Sequence, residues 1–219
     1  MERTTDAFVW VVRDPQWAGK LVIIALILLV PIAGQINGLG WMLAALDRLR
    51  AGEETLPPAN FGYLGRGSRL FVVQLVYALG ISLIVAVLYA PAVLVFQHEG
   101  RGSFDYGLVS VGLLLNLLSF SAATLGSLAL NFVTPSIVLA TDRGGIPAGL
   151  SVADVLRRAR ESGVSTLIAG LMLIAAGFVG SLGLIACGIG VVFTTAYALA
   201  MQAWIVRSYE LGAPAPSTA

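Results

Sequence analysis

The sequence is poor in charged residues and in the reactive side chains on which most enzymes depend. Only 11% of its 219 residues are charged, and it has one cysteine, one histidine and one lysine. A single cysteine, Cys187, excludes an intrachain disulfide, and His98 beside Glu99 lacks the ligand spacing of a metal site. The low charge also excludes a soluble globule of this size, because too few polar side chains remain to cover its surface.

The hydrophobic content of the chain is correspondingly high. Hydrophobic residues make up 58% of the sequence, and the mean hydropathy is +0.88. A helix needs about 20 apolar residues to cross the hydrocarbon core of a bilayer. The sequence therefore predicts an all-α integral membrane protein. Four stretches are long enough and free of charge, namely 21–46, 70–97, 106–141 and 164–206.

The positions of the arginines decide how often the chain crosses the membrane. The first and last stretches are each long enough for two helices, with uncharged turns rich in glycine near 31–38 and 183–190. If both turn as hairpins, twelve of the thirteen cationic residues lie on one side, and only Arg101 lies on the other. With five or seven crossings, the cationic residues would be divided much more evenly between the two sides of the membrane. The sequence thus predicts six transmembrane helices, including two tight hairpins, with both termini cytoplasmic.

This topology gives a single membrane domain over residues 1–211, followed by a disordered tail over 212–219. The two middle spans exceed one bilayer thickness, and Pro91 and Pro135 are their predicted break points. Asp14, with Pro15 after it, is predicted as the N-cap of the first span. The predicted spans are about 17–33, 35–50, 70–97, 107–140, 164–184 and 188–208.

The segment "GLSVADVLRRARESG" predicts a short amphipathic helix over 151–161 that lies at the membrane interface. Ser151 is its predicted N-cap, with Asp154 at capping-box spacing. Val152, Val155, Leu156 and Ala159 share one face, and Arg157, Arg158 and Arg160 point away from it towards anionic headgroups. This helix is either a simple topological anchor or a docking site for lipid or protein.

Aromatic residues mark two further predicted interface segments, near the N-terminus and in the loop before the third span. Phe8, Trp10, Phe61 and Tyr63 are predicted to lie at the level of the headgroups.

A polar stripe on the fourth predicted span is the candidate site inside the membrane. Asn116, Ser119, Ser127 and Asn131 recur at helical spacing. The stripe serves either helix packing or the lining of a lipid-sized cavity. No ionisable residue lies in the middle of any predicted span, which disfavours ion-coupled transport.

These observations favour a non-enzymatic scaffold or accessory subunit. No nucleophile–base pair, phosphate loop or dinucleotide motif is present, so we expect no catalytic residues, no metal and no cofactor. The expected partners are anionic lipids on the cytoplasmic side, with a protein partner or a second copy of the chain as further candidates, and no nucleic acid. The alternative function is a carrier or flippase-like protein for a lipid or an apolar small molecule.

Longer motifs are present at both ends of the chain. The opening segment "FVWVVRDPQWAGKLVIIALILLVPIAGQINGLGWMLAALDRLRAGEETLP" resembles the start of an uncharacterised prokaryotic membrane family, DUF family 4013. "VTPSIVLATDRG" and "GSLGLIACGIGVVFTTAYALAMQAWIVRSYEL" are similar to its later segments. The resemblance implies a multi-pass helical protein of the prokaryotic cytoplasmic (inner) membrane, with no established activity or catalytic residues.

Overall fold

The computed structural model describes residues 6–99, 105–184 and 190–212. The all-helical prediction is confirmed over these residues, which contain no strand. A 3-10 helix, Trp10–Arg13, follows the first α-helix. The helices are α1 Asp6–Val9, α2 Trp17–Leu28, α3 Ala33–Arg50, α4 Leu64–Glu99, α5 Tyr106–Leu150, α6 Val152–Glu161, α7 Gly163–Leu182 and α8 Gly190–Gly212.

Three of the described helices are long and apolar enough to cross a membrane. They are Leu64–Gln97 within α4, α5 and α7. The apolar helix α2 has only 12 residues, and its length of about 18 Å is shorter than a hydrocarbon core of about 30 Å. The long apolar helices indicate insertion into a membrane, and the count of six crossings stays a prediction.

The chain forms two compact units. The first contains the described residues up to Val73 and those from Asn131 onward, and the second is Gln74–Leu130. In the first unit, α8 packs against α7, α3 and α2. Its buried core includes the large side chains of Trp41 and Tyr209.

The connection between α2 and α3 is a turn over residues 29–32. It is shorter and lies earlier than the turn predicted at 31–38, because α3 already begins at Ala33. Gly34 therefore serves packing, since a Cβ there would collide with the carbonyl of Ile27. The first turn of α2 and the last turn of α3 meet at one backbone carbonyl, that of Leu56. Its oxygen accepts from Lys20 Nζ at 2.7 Å and from Arg48 Nη1 at 3.1 Å.

The loop over 51–63 folds back along α3. Trp41 Nε1 donates to the Pro57 oxygen at 3.3 Å, and the side-chain amide of Asn37 donates to the Asn60 oxygen at 2.9 Å. Asn37 is fully buried, so the loop satisfies a polar side chain that would otherwise be costly inside the protein.

After this loop, α4 begins in close contact with α3. A Cβ on Gly67 would collide with the Ile36 carbonyl, and one on Gly40 would collide with the Tyr63 carbonyl. These two glycines let the backbones of α3 and the start of α4 approach closely.

The helix α5 does not break at Pro135, and α4 does not break at Pro91. Both prolines lie inside continuous helix, so the prediction that the helices break at these residues is wrong. The non-helical residue of α5 is Gly145, with φ 70° and ψ −163°. That conformation is nearly restricted to glycine, and Pro147 also disfavours helical backbone at Ile146.

The break at Gly145 turns the chain back on itself. Gly149 lies against the Thr141 side chain and also contacts Val73 of α4. Residues eight apart would be about 12 Å apart along a straight helix, so the contact requires a sharp bend. The bend thus brings the end of α5 against Val73 of α4.

In the second unit, α4 and α5 pack through small residues spaced seven apart on α5. Gly112 faces Val95, and Gly126 faces Ile81. Between them, the buried Ser119 hydroxyl donates to the Val85 oxygen at 3.3 Å. Residues at this spacing share one face of a helix, and small side chains allow close approach.

One of the predicted interface aromatics is buried. Trp10 is fully buried and stacks on Trp204, with ring centroids 5.9 Å apart. The prediction that Trp10 lies in an aromatic belt is therefore wrong. Phe8 and Phe61 are exposed.

Candidate functional site: the charged cluster of four helices

Charged side chains from α3, α4, α5 and α8 meet in one cluster in the first unit, here named the Asp142 cluster. Four guanidinium groups face three carboxylates, so the cluster carries one surplus positive charge. Its members are Asp47, Arg50, Arg66, Asp142, Arg143, Arg207 and Glu210.

Asp142 connects three helices through two arginines. Its side chain is 6% exposed, and its oxygens accept from Arg50 Nη1 at 2.7 Å and from Arg66 Nη2 at 2.6 Å. Arg50 is the last residue of α3, and Arg66 lies in the first turn of α4. Without this carboxylate, the positive charges of both guanidinium groups would be less well balanced in a partly buried site.

Glu210 connects the end of α8 to the same cluster. It accepts from Arg50 Nε at 3.0 Å, from Arg143 Nη2 at 2.6 Å and from Arg207 Nη1 at 2.9 Å. Burial raises the pKa of Glu210, but the hydrogen bonds from these three arginines outweigh it and lower the pKa from 4.5 to about 2. Glu210 is therefore ionised at any physiological pH.

A second buried carboxylate, Asp14, fixes the loop before α4 to the N-terminal segment. Asp14 is 3% exposed and accepts from Lys20 Nζ at 2.7 Å and from the Gln16 and Leu56 amides at 2.8 Å each. Burial raises the pKa of Asp14, but hydrogen bonds from Lys20, Gln16 and Leu56 outweigh it and lower the pKa. The predicted N-cap role is wrong in detail, because α2 begins at Trp17 with Gln16 as its N-cap residue.

Most cationic side chains of the described residues are neutralised by carboxylates within the protein. Three arginines have no such partner there: Arg69, Arg158 and Arg160. The paired cations are Arg13, Lys20, Arg48, Arg50, Arg66, Arg143, Arg157 and Arg207.

The structure distinguishes among the three arginines predicted as a lipid or partner interface on α6. Arg157 is 68% exposed and pairs with Asp154 at 2.7 Å and Glu161 at 3.9 Å. Arg160 is exposed and unpaired, and Nη1 of Arg158 is buried without a hydrogen-bond partner. Among the described residues, Arg160 is therefore the arginine of α6 that is both exposed and without a carboxylate partner.

The other face of α6 is only partly buried. Val155 and Ala159 are 1% and 7% exposed, whereas Val152 and Leu156 are exposed. Ser151 stands at the N-cap position, but its hydroxyl donates to the Asp154 carboxylate at 2.6 Å instead of capping the backbone. This hydrogen bond and the Arg157 charge lower the pKa of Asp154.

A small polar cavity lies beside the Asp142 cluster. Its volume is about 110 Å³. Arg66 and Asp142 line it together with one arginine that lacks a partner, Arg69. The full lining is Leu43, Arg66, Arg69, Thr141 and Asp142.

The predicted polar stripe on α5 does not form one surface. Ser119 faces α4, whereas Asn116 and Ser127 are exposed and Asn131 is partly buried. Ser119 thus takes part in helix packing, and a cavity lined by the stripe stays a prediction.

The described residues contain no group of three or more histidine, cysteine, aspartate or glutamate side chains that could hold a metal ion. Cys187 and the His98 side chain lie outside the part of the chain that the structure describes. The prediction of a non-enzymatic protein without cofactor stays a prediction.

Sequence reasoning missed the carboxylates that organise this site. Asp47, Asp142 and Glu210 each lie within three residues of an arginine, at the end of an apolar stretch. That pattern is the signal that could have indicated them, because acids at such positions can pair with arginines from neighbouring helix ends.

The comparisons with known proteins identify a family but no functional counterpart. No curated protein and no solved structure matches the chain. The family whose model matches residues 23–189 is described as "Protein of unknown function (DUF4013)". Because this match covers most of the sequence, the chain belongs to the DUF4013 family.

Proposed function

We propose that the protein is a non-enzymatic scaffold or accessory subunit of a prokaryotic cytoplasmic (inner) membrane. Its amphipathic helix α6 docks on anionic lipid headgroups on the cytoplasmic side, and a protein partner or a second copy of the chain binds to it there. The observation that carries the proposal is the pair of arginines on α6, Arg158 and Arg160, which have no carboxylate partner among the described residues.

The contacts between helix ends support six membrane-embedded helices with both termini cytoplasmic. The start of α2 and the end of α3 meet at the Leu56 carbonyl. The start of α4 and the late part of α5 meet through Arg66 and Asp142. Near the start of α7, the Ser165 hydroxyl donates to the Gly212 oxygen of α8 at 3.1 Å. These contacts are those expected if each pair returns to its starting side of the membrane.

The short helix α2 is compatible with this arrangement. A pair of helices that enters the bilayer without fully crossing it also returns the chain to its original side. The cytoplasmic placement of Arg48 and Arg50 is therefore the same for a full crossing and for a shallow hairpin.

The distribution of charge supports a docking role over a catalytic one. The carboxylates of the Asp142 cluster are all paired with arginines that brace helix ends. Such pairs fix the positions of the helix ends, and the paired carboxylates are not free to act as acids or bases in proton transfer. The charge that remains for an external partner is cationic, and it lies on a surface helix near the membrane interface.

The proposal is tested by the lipids that remain with the full-length protein when it is extracted from native membranes in lipid-preserving particles. We expect anionic lipids to be enriched in the particles relative to the membrane. The double variant Arg158→Gln/Arg160→Gln should lose the enrichment, and the matched variant Arg158→Lys/Arg160→Lys, which keeps both charges, should retain it.

Two results would contradict the proposal. One is an equal lipid composition for the wild type and the double glutamine variant. The other is movement of a solute across liposomes by the purified protein, which would favour the carrier function. Crosslinking in the native membrane should in addition capture a protein partner or a second copy.

A further inference from the structure

The cavity beside the Asp142 cluster has the size and lining of a site for a small anionic group. Its volume of about 110 Å³ is well below the 300–1,000 Å³ of sites for drug-sized ligands. It exceeds the space that one water molecule requires. Two arginines line it, and arginine binds phosphate oxygens with two parallel N–H donors.

The two arginines are placed to act on one ligand. Arg66 and Arg69 lie three residues apart in the first two turns of α4, so they share one face of the helix. Both also lie near the N-terminal end of α4, where the helix dipole favours negative charge. Arg69 is exposed and has no carboxylate partner among the described residues, so its donors are available.

The acidic residue in the lining does not cancel this positive charge. Asp142 already accepts hydrogen bonds from Arg50 and Arg66. With Arg69 added, the Asp142 cluster holds five guanidinium groups against three carboxylates. Thr141 donates its hydroxyl to the Ile137 oxygen at 2.8 Å, and all three guanidinium nitrogens of Arg66 already donate to Asp47 and Asp142. Arg69 therefore supplies the ligand's N–H donors, and Arg66 adds positive charge beside them.

The position of the cavity favours a lipid headgroup over a free anion. Leu70 and Phe71 follow Arg69 directly and begin the apolar stretch of α4. Val72, three residues after Arg69, is an exposed apolar side chain on the same side of the helix. A phosphate held by Arg69 would therefore have an apolar helix surface beside it for the acyl chains.

We propose that this cavity binds the phosphate group of an anionic phospholipid, with Arg69 as its guanidinium ligand and Arg66 as a second positive charge in the lining. The inference rests on the proposed function, to which it adds a specific headgroup site besides the surface of α6. Binding there would reduce the surplus positive charge at the point where α3, α4 and α5 meet, and it would hold these helix ends together.

The test uses the full-length protein in a non-ionic detergent at fixed ionic strength. A soluble short-chain phosphatidylglycerol is the probe, short-chain phosphatidylcholine is its zwitterionic control, and inorganic phosphate is added in a separate arm. Binding is followed by the rise in melting temperature, which increases with ligand concentration, and by bound lipid in native mass spectrometry. We expect phosphatidylglycerol to bind more tightly than either other compound.

Arg69→Gln should weaken the apparent affinity for phosphatidylglycerol about tenfold or more, because it removes a charge-assisted hydrogen bond. Arg13→Gln is the control, since it removes one surface arginine that Asp6 and Glu54 already neutralise, and it should leave this affinity nearly unchanged. Arg69 is exposed, so its variant should fold. Arg69→Lys, which keeps the charge but loses the planar donor pair, should lie between wild type and Arg69→Gln.

Three results would overturn the inference: equal binding by Arg69→Gln and wild type, equal binding of phosphatidylcholine, or phosphate binding as tight as that of the lipid. If the inference fails in this way while Arg158→Gln/Arg160→Gln still loses anionic lipid enrichment, the proposed function stands without the cavity site. If the double variant keeps its enrichment while Arg69→Gln loses affinity, the cavity site stands and docking by α6 fails.

Discussion

The carboxylate of Asp142 lies where the ends of α3 and α4 meet α5. It is nearly buried and accepts from two arginines, and Arg50 in turn reaches Glu210 on α8. Buried ion pairs of this kind add little net stability, but losing one partner is costly because the other charge remains in place. Their effect is to define how the helix ends meet.

The Asp142→Asn variant tests this role. We expect its free energy of unfolding in detergent to fall by about 3 to 5 kcal/mol, since two guanidinium groups lose the charge that compensates them. The measurement is reversible chemical unfolding followed by tryptophan fluorescence. Asp154→Asn is the control, because Asp154 pairs with Arg157 on an exposed helix and should change stability by less than about 1 kcal/mol. Equal effects of the two substitutions would contradict the account.

Glu210 should make stability depend on pH in the acid range. Its pKa is lowered to about 2 in the folded protein, so its ionised form is favoured by folding. The resulting stabilisation is complete above pH 4.5 and is lost as the pH falls towards 2. The difference in melting temperature between wild type and Glu210→Gln should therefore be largest near pH 7 and should shrink between pH 4.5 and 2.

The control for this experiment is Glu161→Gln, since Glu161 is exposed and lies 3.9 Å from its arginine partner. The melting temperature of Glu161→Gln should differ little from that of the wild type at every pH. If the difference in melting temperature between wild type and Glu210→Gln stayed constant from pH 7 to pH 2, the ionised carboxylate would not be what stabilises the fold.

At the scale of elements, two glycines shape the first unit, one at the start of α4 and one near the end of α5. Gly67 allows α4 to start against the backbone of α3, and Gly145 allows α5 to bend so that Gly149 lies against Val73 of α4. The packing of Gly67 depends on a missing Cβ, whereas the bend at Gly145 depends on backbone conformation.

Gly67→Ala should destabilise the protein, because the new Cβ would collide with the Ile36 carbonyl, which cannot move without shifting α3. Gly65→Ala is a matched control in the same turn, since a Cβ there meets nothing within 4 Å. We expect a melting temperature several degrees lower for Gly67→Ala and an unchanged or slightly higher one for Gly65→Ala. The opposite order would exclude a close crossing of α3 and α4.

Gly145→Ala should cost about 1 to 3 kcal/mol, because alanine is strained at φ 70° and ψ −163°. Gly177→Ala is the control, since it lies within α7 with open space around its Cβ position. The free energy of unfolding measures both changes. If Gly145→Ala is as stable as Gly177→Ala, α5 does not bend at this residue.

At the scale of the whole molecule, hydropathy was sufficient to predict the positions of the long helices. Each apolar stretch overlaps one or two of the long helices, and each of these helices extends beyond its stretch at one or both ends. The helices are α2, α3, α4, α5, α7 and α8. The reason is general: a run of about 20 apolar residues is stable in a membrane only when its backbone is hydrogen-bonded internally.

The carboxylate contacts could not be predicted, because their partners are far apart in sequence. Leu56 is 42 residues from Asp14, and Arg50 is 92 residues from Asp142. The burial of Trp10 likewise depends on Trp204 at the other end of the chain. The break in α5 was predicted at Pro135 but lies at Gly145, because a proline is tolerated inside a long apolar helix and a glycine bend shows no hydropathy signal.

The account depends on one claim about the whole molecule, that the arginine-bearing helix ends and α6 share the cytoplasmic face of the membrane. Single cysteines at Ala51, Ala153 or Ser103, introduced after Cys187→Ala, test it by labelling sealed cells with a membrane-impermeant maleimide. The account predicts labelling of Ser103→Cys in intact cells, and of Ala51→Cys and Ala153→Cys only after permeabilisation. Labelling of Ala51→Cys and Ala153→Cys in intact cells, with Ser103→Cys protected, would contradict it.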